Sequence, residues 1–400
     1  MSIKSFPISK DGSIIAYKLK NKEGSLVVQL SSFGARLTHL WTLDKNKELV
    51  DVLIGFDTHE ELVASFEGKA DPYIGAVVGR VSGSIYPCDK IELNNSSYSL
   101  NVNFPKNGAS HHGGFVGIDK RIWTPEIVST DPPAIKFVYV SPHNEENYPG
   151  TLEISVTYTA TNENQLKLEY RAKFLDDGPL NDTITETAIS LTNHAYFNLT
   201  GFKEPTIENH KCSFATTDYL LSNLETKIFN GEISRDYSDK NTVLGQDNPV
   251  QKRTHLMDFM NEPKSVGPDI YNPLILNSFG GYNHVFTVLE TKKNNQNDNQ
   301  DGYYADSNYS LKQVAKIWSN SSGISMRVLT DEPAFVFYTG NFLPDDLYGK
   351  NDIQFRKHSG FALQLQRYNN ALNFPKWKEQ MVLQRGKLYS QNSIYEFSII

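Results

Sequence analysis

Cysteine is nearly absent from this chain, with Cys88 and Cys212 the two thiols in 400 residues. That excludes a disulfide-built scaffold. One bridge stays arithmetically open, but two free, partly buried thiols in a reducing compartment are the expectation. Neither thiol sits at metal-ligand spacing with a histidine, and no glycine-rich loop has the pattern that cradles a nucleotide. Long apolar runs are missing too: none approaches the roughly 20 residues of a membrane helix. The opening Met1-Ser2-Ile3-Lys4-Ser5-Phe6-Pro7 lacks the apolar core of a secretory signal. A cytoplasmic protein is therefore expected, and the sequons Asn198-Leu199-Thr200 and Asn181-Asp182-Thr183 read as chance matches. There is no basic excess either. Lys and Arg number 39 against 46 Asp and Glu, a formal charge of -7, which argues against nucleic acid or an anionic membrane as partner.

What the chain has in quantity is aromatic residues, with 21 Tyr and 22 Phe. These favour strands and leave rings for stacking on ligands. Ser25 to Leu30 and Leu49 to Ile54 are β-branched or aliphatic runs. Leu152 to Tyr158 and Gln165 to Phe174 alternate apolar with polar residues, as half-buried antiparallel strands do. Gln391 to Ile400 reads as a further strand. Turn chemistry separates such runs at Asp44-Lys45-Asn46-Lys47, Asn94-Asn95 and Asp176-Asp177-Gly178-Pro179. Long amphipathic helices are absent, and Thr58 to Phe66 supplies a short one. The expectation is an all-β fold, an antiparallel β-sandwich of large sheets. With no internal repeat and no clear linker, residues 1–400 read as one domain. Polar insertions near 234–254 and 291–310 have little to bury and read as surface loops.

Seven segments occur in a characteristic order. They are Phe33-Gly34-Ala35-Arg36-Leu37, Gly75-Ala76-Val77-Val78-Gly79-Arg80-Val81, His112-Gly113-Gly114-Phe115, Asp119-Lys120-Arg121-Ile122-Trp123, Leu191 to Leu199 around Asn193-His194-Ala195-Tyr196-Phe197, Phe337-Tyr338-Thr339-Gly340-Asn341-Phe342-Leu343, and Lys357-His358-Ser359-Gly360-Phe361. Any one alone is weak, but as an ordered set the chain resembles aldose 1-epimerases, also called galactose mutarotases. The resemblance implies a galactose mutarotase-like supersandwich with a sugar cleft on a concave face. It also implies a role in hexose metabolism: interconversion of the α and β anomers of free aldoses such as galactose and glucose.

Mutarotation needs one base near the anomeric hydroxyl and one acid near the ring oxygen, so no metal or other cofactor is implied. The partner is a free hexose or related carbohydrate. By resemblance His194 is the acid, a role imidazole suits near neutrality, and His112 holds a sugar hydroxyl. A satisfied core histidine and a water-exposed loop histidine beside His111 are the bland alternatives. Phe115, Tyr196 and Tyr338 could stack on a sugar face or simply pack a core.

The chain departs from the family pattern at four site positions. Ser84 stands where the resemblance implies an arginine, Asn283 where it implies an aspartate, Val336 where it implies a glutamine, and Gln364 where it implies the glutamate base. A carboxamide hydrogen-bonds a hydroxyl but does not accept its proton. The alignment at Gln364 is anchored by Lys357 to Phe361, and no acid occurs between Asp352 and Glu379. Arg80 aligns with a structural arginine. Two readings follow: an epimerase acting through His194 with a weak or unconventional base, or a sugar-binding or regulatory relative without turnover.

Overall fold

The computed structural model describes residues 2–66, 72–176, 178, 183–223, 225–234, 256–288 and 311–400. Ser234 apart, the two expected polar insertions lie outside the described residues.

Alternating patterns become three large antiparallel sheets, as the all-β expectation requires. The first is a five-stranded meander of β1 (Ile3–Pro7), β2 (Ile15–Lys20), β3 (Leu26–Ser31), β4 (Arg36–Leu43) and β5 (Leu49–Asp51). The second has nine strands, its centre formed by Leu152–Ala160, Gln165–Phe174, Tyr389–Ile399 and Ile324–Thr330. The third has six, in the order Tyr196–Phe197, Phe361–Gln366, Ala334–Tyr338, Asn283–Thr287, Tyr219–Ser222 and Phe229–Ser234.

The connections follow local chemistry. In the β4–β5 turn the Asp44 carboxylate accepts the backbone N–H of Asn46 at 2.8 Å and of Glu48 at 3.0 Å, while Lys47 takes a left-handed φ of 66°. Asn94 and Asn95, at φ 53° and 54°, close the hairpin between Ile91–Leu93 and Ser96–Tyr98, the conformation a two-residue I′ turn demands. The short helix α1 runs over His59–Phe66. Thr58 starts it with a capping box: its hydroxyl accepts from Glu61 N at 3.2 Å, and Glu61 accepts from Thr58 N at 3.1 Å. The strand expected over Leu49 to Ile54 is shorter than its apolar run, ending at Asp51. There the Asp51 carboxylate accepts from Leu53 N and turns the chain away.

The six-stranded sheet decides where the site lies. Its register pairs Tyr196 with Ala362, Ala362 with Tyr338, and Tyr338 with Asn283; the next row pairs Gln364 with Val336 and Val336 with Val285. Side chains directly opposite share a face, and the period is two. Phe197, Phe361, Leu363, Leu365, Phe335, Phe337 and Phe286 therefore point one way, into a buried cluster shared with Leu26, Val28 and Leu40 of the five-stranded sheet and with Tyr158, Tyr170, Val328 and Tyr395 of the nine-stranded sheet. Tyr196, Gln364, Tyr338, Val336 and Asn283 point the other way. Both thiols are free and buried, Cys212 inside the shared core, more deeply than expected from the sequence. Asn198 and Thr200 are also buried, which closes that sequon to modification in the folded chain.

Candidate functional site

His194 follows the two-residue strand Thr192–Asn193, which pairs with Val77–Val78. Its backbone is fixed on both sides: its N–H donates to Ala76 O at 2.9 Å, and its carbonyl accepts from Gly75 N at 3.0 Å. The Asn193 carboxamide braces the bend, donating to Gly75 O at 2.8 Å and accepting from Ala195 N at 2.9 Å. The His194 ring then lies among aromatic neighbours. Ring centroids are 4.9 Å away at Tyr196, 5.5 Å at His112, 6.0 Å at Tyr73 and 6.3 Å at Tyr338.

His112 is 5% exposed, so the water-exposed alternative fails for it. Its own φ is 49° and that of Gly113 is 85°. A side chain at Gly113 would put its Cβ 1.9 Å from Gly79 O, so only glycine permits the tight turn that aims the His112 ring. Gly83 N donates to His112 Nδ1 at 3.1 Å. Burial, then the neighbouring His111, His194 and Lys120, holds its pKa well below the ordinary value. A neutral ring accepting at Nδ1 carries its proton on Nε2. His112 is therefore a hydrogen-bond donor through Nε2 at neutral pH.

Ser84 belongs to the short strand Ser84–Ile85, directly opposite His111 of Ser110–His111. The hydroxyl lies 2.8 Å from His111 Nδ1. The His111 ring packs on His112 at 3.9 Å and stacks on Phe104 at 5.3 Å. His111 is half-buried, and burial lowers its pKa to about 4. The sequence gives His111 no role of its own; the strand pairing with Ser84 turns it inward. Tyr73, which packs on His112 at 4.7 Å and lies under the Lys120 ammonium at 4.9 Å, was not singled out either. The His-His pair was a visible signal for His111, whereas Tyr73 carried none.

The sheet supplies the remaining positions. Gln364 is 4% exposed and shares its face with Val336, Asn283, Tyr196 and Tyr338. Tyr338 links this face to the imidazoles through its contact with His194, and its hydroxyl accepts from Phe342 N at 2.9 Å. Phe342 is itself 70% exposed. Phe115 does not join the cluster as a stacking ring: it is 59% exposed, with its N–H held by Glu146 at 3.0 Å.

Several charged groups among the described residues stand apart from this cluster or are already paired. The Arg80 guanidinium is buried and donates to Ser141 Oγ at 2.8 Å and to the carbonyls of Ser141, Pro142, Pro149 and Gly150 at 2.7–3.0 Å. It clamps loops. Lys120 pairs with buried Asp119 at 2.6 Å. Asp345 and Asp346 are exposed, and Asp345 accepts from Lys357 N at 3.4 Å. Among the described residues the cluster offers three imidazoles, two of them with lowered pKa, together with a hydroxyl and carboxamides around aromatic rings. Such groups match the hydroxyls and the apolar face of an uncharged sugar.

Comparison with known proteins gives the same direction. The family model for aldose 1-epimerase matches residues 16–396. Galactose mutarotase from Mus musculus is 32% identical over 393 residues, covering 98% of this chain and 96% of that protein. The Homo sapiens galactose mutarotase is 31% identical over the same shares of the two chains. Among solved structures, an aldose epimerase homologue from C. elegans superposes with a TM-score of 0.74 at 24% identity, covering 96% of this chain and 98% of that one. A galactose 1-epimerase from Lactobacillus acidophilus does so with a TM-score of 0.71 at 18% identity, covering 99% and 98%. The two structures share the fold, and the family match and the sequence relatives span nearly the whole chain: this protein belongs to the aldose 1-epimerase family.

Proposed function

We propose that this chain recognises a free aldohexose between the His111–His112–His194 cluster and the sheet face bearing Gln364, and that anomer interconversion there is slow or absent. Gln364 carries this reading. It occupies the position at which the family resemblance implies a general base, and its carboxamide has no proton-accepting chemistry at neutral pH. General acid–base assistance is typically worth about 10²–10⁴ in rate. His194 would face the ring oxygen, and His112 would donate Nε2–H to a hydroxyl. Gln364, Asn283 and Ser84 would satisfy further hydroxyls, with Val336 packing against the apolar edge. A partner left unpaired on burial penalises the wrong sugar.

The Ser84–His111 contact favours one second reading, an active epimerase in which a neutral imidazole takes the proton. A ring with a pKa of about 4 has much the proton affinity of a carboxylate, and it is unprotonated at neutral pH.

The deciding experiment follows freshly dissolved α-D-galactose and α-D-glucose by polarimetry or NMR, with parallel binding titrations. Sugar binding without acceleration supports the first reading. Acceleration lost in both His194→Ala and His111→Ala supports the second. No binding and no acceleration would sink both.

A further inference from the structure

A cavity lies on the five-stranded sheet, a different sheet from the one that carries Gln364. It measures about 470 Å³ and is lined by Ser2, Lys4, Lys18, Lys20, Val27, Trp41 and Leu49. That volume falls within the range of small-molecule sites, roughly 300–1,000 Å³. Its lining contains three lysines and no carboxylate, in a protein whose formal charge is -7.

The register shows how the charges gather. Lys4 on β1 is directly opposite Lys18 on β2, and Lys20 is two residues further along the same strand, hence on the same face. Like charges opposite each other across an antiparallel pair destabilise it. Among the described residues none of the three lysines forms an ion pair; the nearby Asp51 and Asp57 face Lys350 at 2.7 Å and His39 at 3.5 Å. Edge strands often carry lysine as protection against unwanted pairing. That accounts for Lys4 on the edge strand β1, but not for Lys18 and Lys20 on the inner strand β2.

The other component is a flat aromatic wall. The Lys18 ammonium sits 4.0 Å from the Trp41 ring centroid, and the His39 ring stacks on Trp41 at 4.9 Å with an interplanar angle of 18°. Val27 is buried beneath, and Leu49 stands exposed at the rim. Lysine binds phosphate as a point charge, and an indole face suits a pyranose or a nucleobase.

We propose that this cavity is a binding site for a small phosphate monoester, its anionic head held by Lys4, Lys18 and Lys20 and its organic part lying on Trp41. Glucose 6-phosphate and uridine monophosphate represent the two sources of that chemistry, one stacking a sugar ring and the other a base. The site is independent of the hexose reading above.

The test titrates the full chain with both monoesters, inorganic phosphate and glucose, by calorimetry and ligand-detected NMR. At least one monoester should bind more tightly than inorganic phosphate. Its affinity should fall about tenfold or more between low salt and physiological salt, as partly exposed charges require. It should fall at least tenfold in Lys18→Gln/Lys20→Gln with the unfolding midpoint no lower, and several-fold in the milder Lys4→Gln. His112→Ala should leave it unaltered. Absence of monoester binding, or binding that survives the lysine substitutions, overturns the proposal. Binding lost in His112→Ala places the ligand at the imidazole cluster and overturns it equally. Affinity no better than that of inorganic phosphate, or unaffected by Trp41→Leu, overturns the role given to the indole.

Discussion

The hydroxyl of Ser84 lies 2.8 Å from Nδ1 of His111, the two residues facing each other across paired strands. Where family resemblance implies a long cationic side chain, position 84 offers a short hydroxyl to an inward-turned imidazole.

Ser84→Ala should leave the His111 ring in place but one partner short. A net loss of about 1 kcal/mol in stability is expected for one such hydrogen bond. If the pair also contacts sugar, affinity should fall roughly five- to tenfold, the equivalent of about 1–1.4 kcal/mol. Chemical denaturation reads the first effect and an NMR titration with galactose the second. Unchanged affinity would remove Ser84 from the sugar contacts.

Gln364→Glu should raise the rate of anomer interconversion but not to that of an efficient family member, because the resemblance implies different residues at Ser84, Asn283 and Val336 as well. The introduced carboxyl would be nearly buried, since Gln364 is 4% exposed. Burial without a cation pushes a carboxyl pKa upward. Activity should therefore rise with pH through a midpoint above the ordinary glutamate value. Polarimetric rates between about pH 5 and pH 8 provide the check. Full recovery from this single change would show that the other departures do not matter.

Acid should destabilise the fold through its buried histidines. His210 is fully buried and its Nε2 accepts from Leu199 N at 2.9 Å. Burial, partly offset by Glu204, lowers its pKa to about 4. His39 is lowered to about 2 by burial together with Lys350 and Lys18. The unfolded chain takes up protons on both rings as pH falls below about 6.5, while the folded chain does not. Their contribution is therefore complete above that pH and is lost as pH falls, towards 4 for His210 and towards 2 for His39. Each ring adds at most about 1.4 kcal/mol per pH unit to the slope. Denaturation midpoints at pH 7, 6 and 5 should decline, and His210→Gln, which keeps an acceptor, should shallow the decline. An unaltered slope would show that His210 titrates normally in the fold.

The strands were legible because the sheets are half-buried and period two survives in the sequence. Gln165 to Phe174 is recovered residue for residue. The helix Pro273–Phe279 was missed, although Asn272 caps its start and Gly280 closes it at φ 73°. It is too short for a helical period to stand out. For the site, face-sharing of Gln364, Val336 and Asn283 follows from strand period, but their assembly depends on non-local register that no local pattern encodes. His111 and Tyr73 reach the cluster through long-range pairing and loop packing. The motif residues Asn193 and Asn341 were visible in the sequence, yet their carboxamides hold backbone rather than line a site. Asn341 donates to the carbonyls of Phe279 at 3.0 Å and Tyr282 at 2.8 Å.

The strands that present Val336 and Gln364 are also joined through a buried ion pair. Glu332 immediately precedes Pro333 and the strand Ala334–Tyr338, and Arg367 immediately follows Phe361–Gln366. Arg367 Nη1 lies 2.9 Å from Glu332 Oε1, with both side chains almost completely buried. Burial raises the Glu332 pKa, to about 8, against the lowering influence of Arg367. The short contact argues for an ionised pair and the burial for a neutral acid; the direction that stands is upward, because desolvation is the larger effect. Its pH dependence is opposite to that of the histidines, with stability declining as pH rises from about 4.5 towards 8. Removing one member of a buried pair typically costs about 3–5 kcal/mol, whereas replacing both with apolar groups of similar volume is often near neutral. Arg367→Met should therefore be most destabilising above about pH 8, where Glu332 gives up its proton, and Glu332→Leu/Arg367→Met should recover most of that loss. Denaturant midpoints for the singles and the double give the coupling directly. Additive losses would mean that the pair does not bind the two strand ends together, and that the placement of Gln364 beside Val336 rests on the backbone ladder alone.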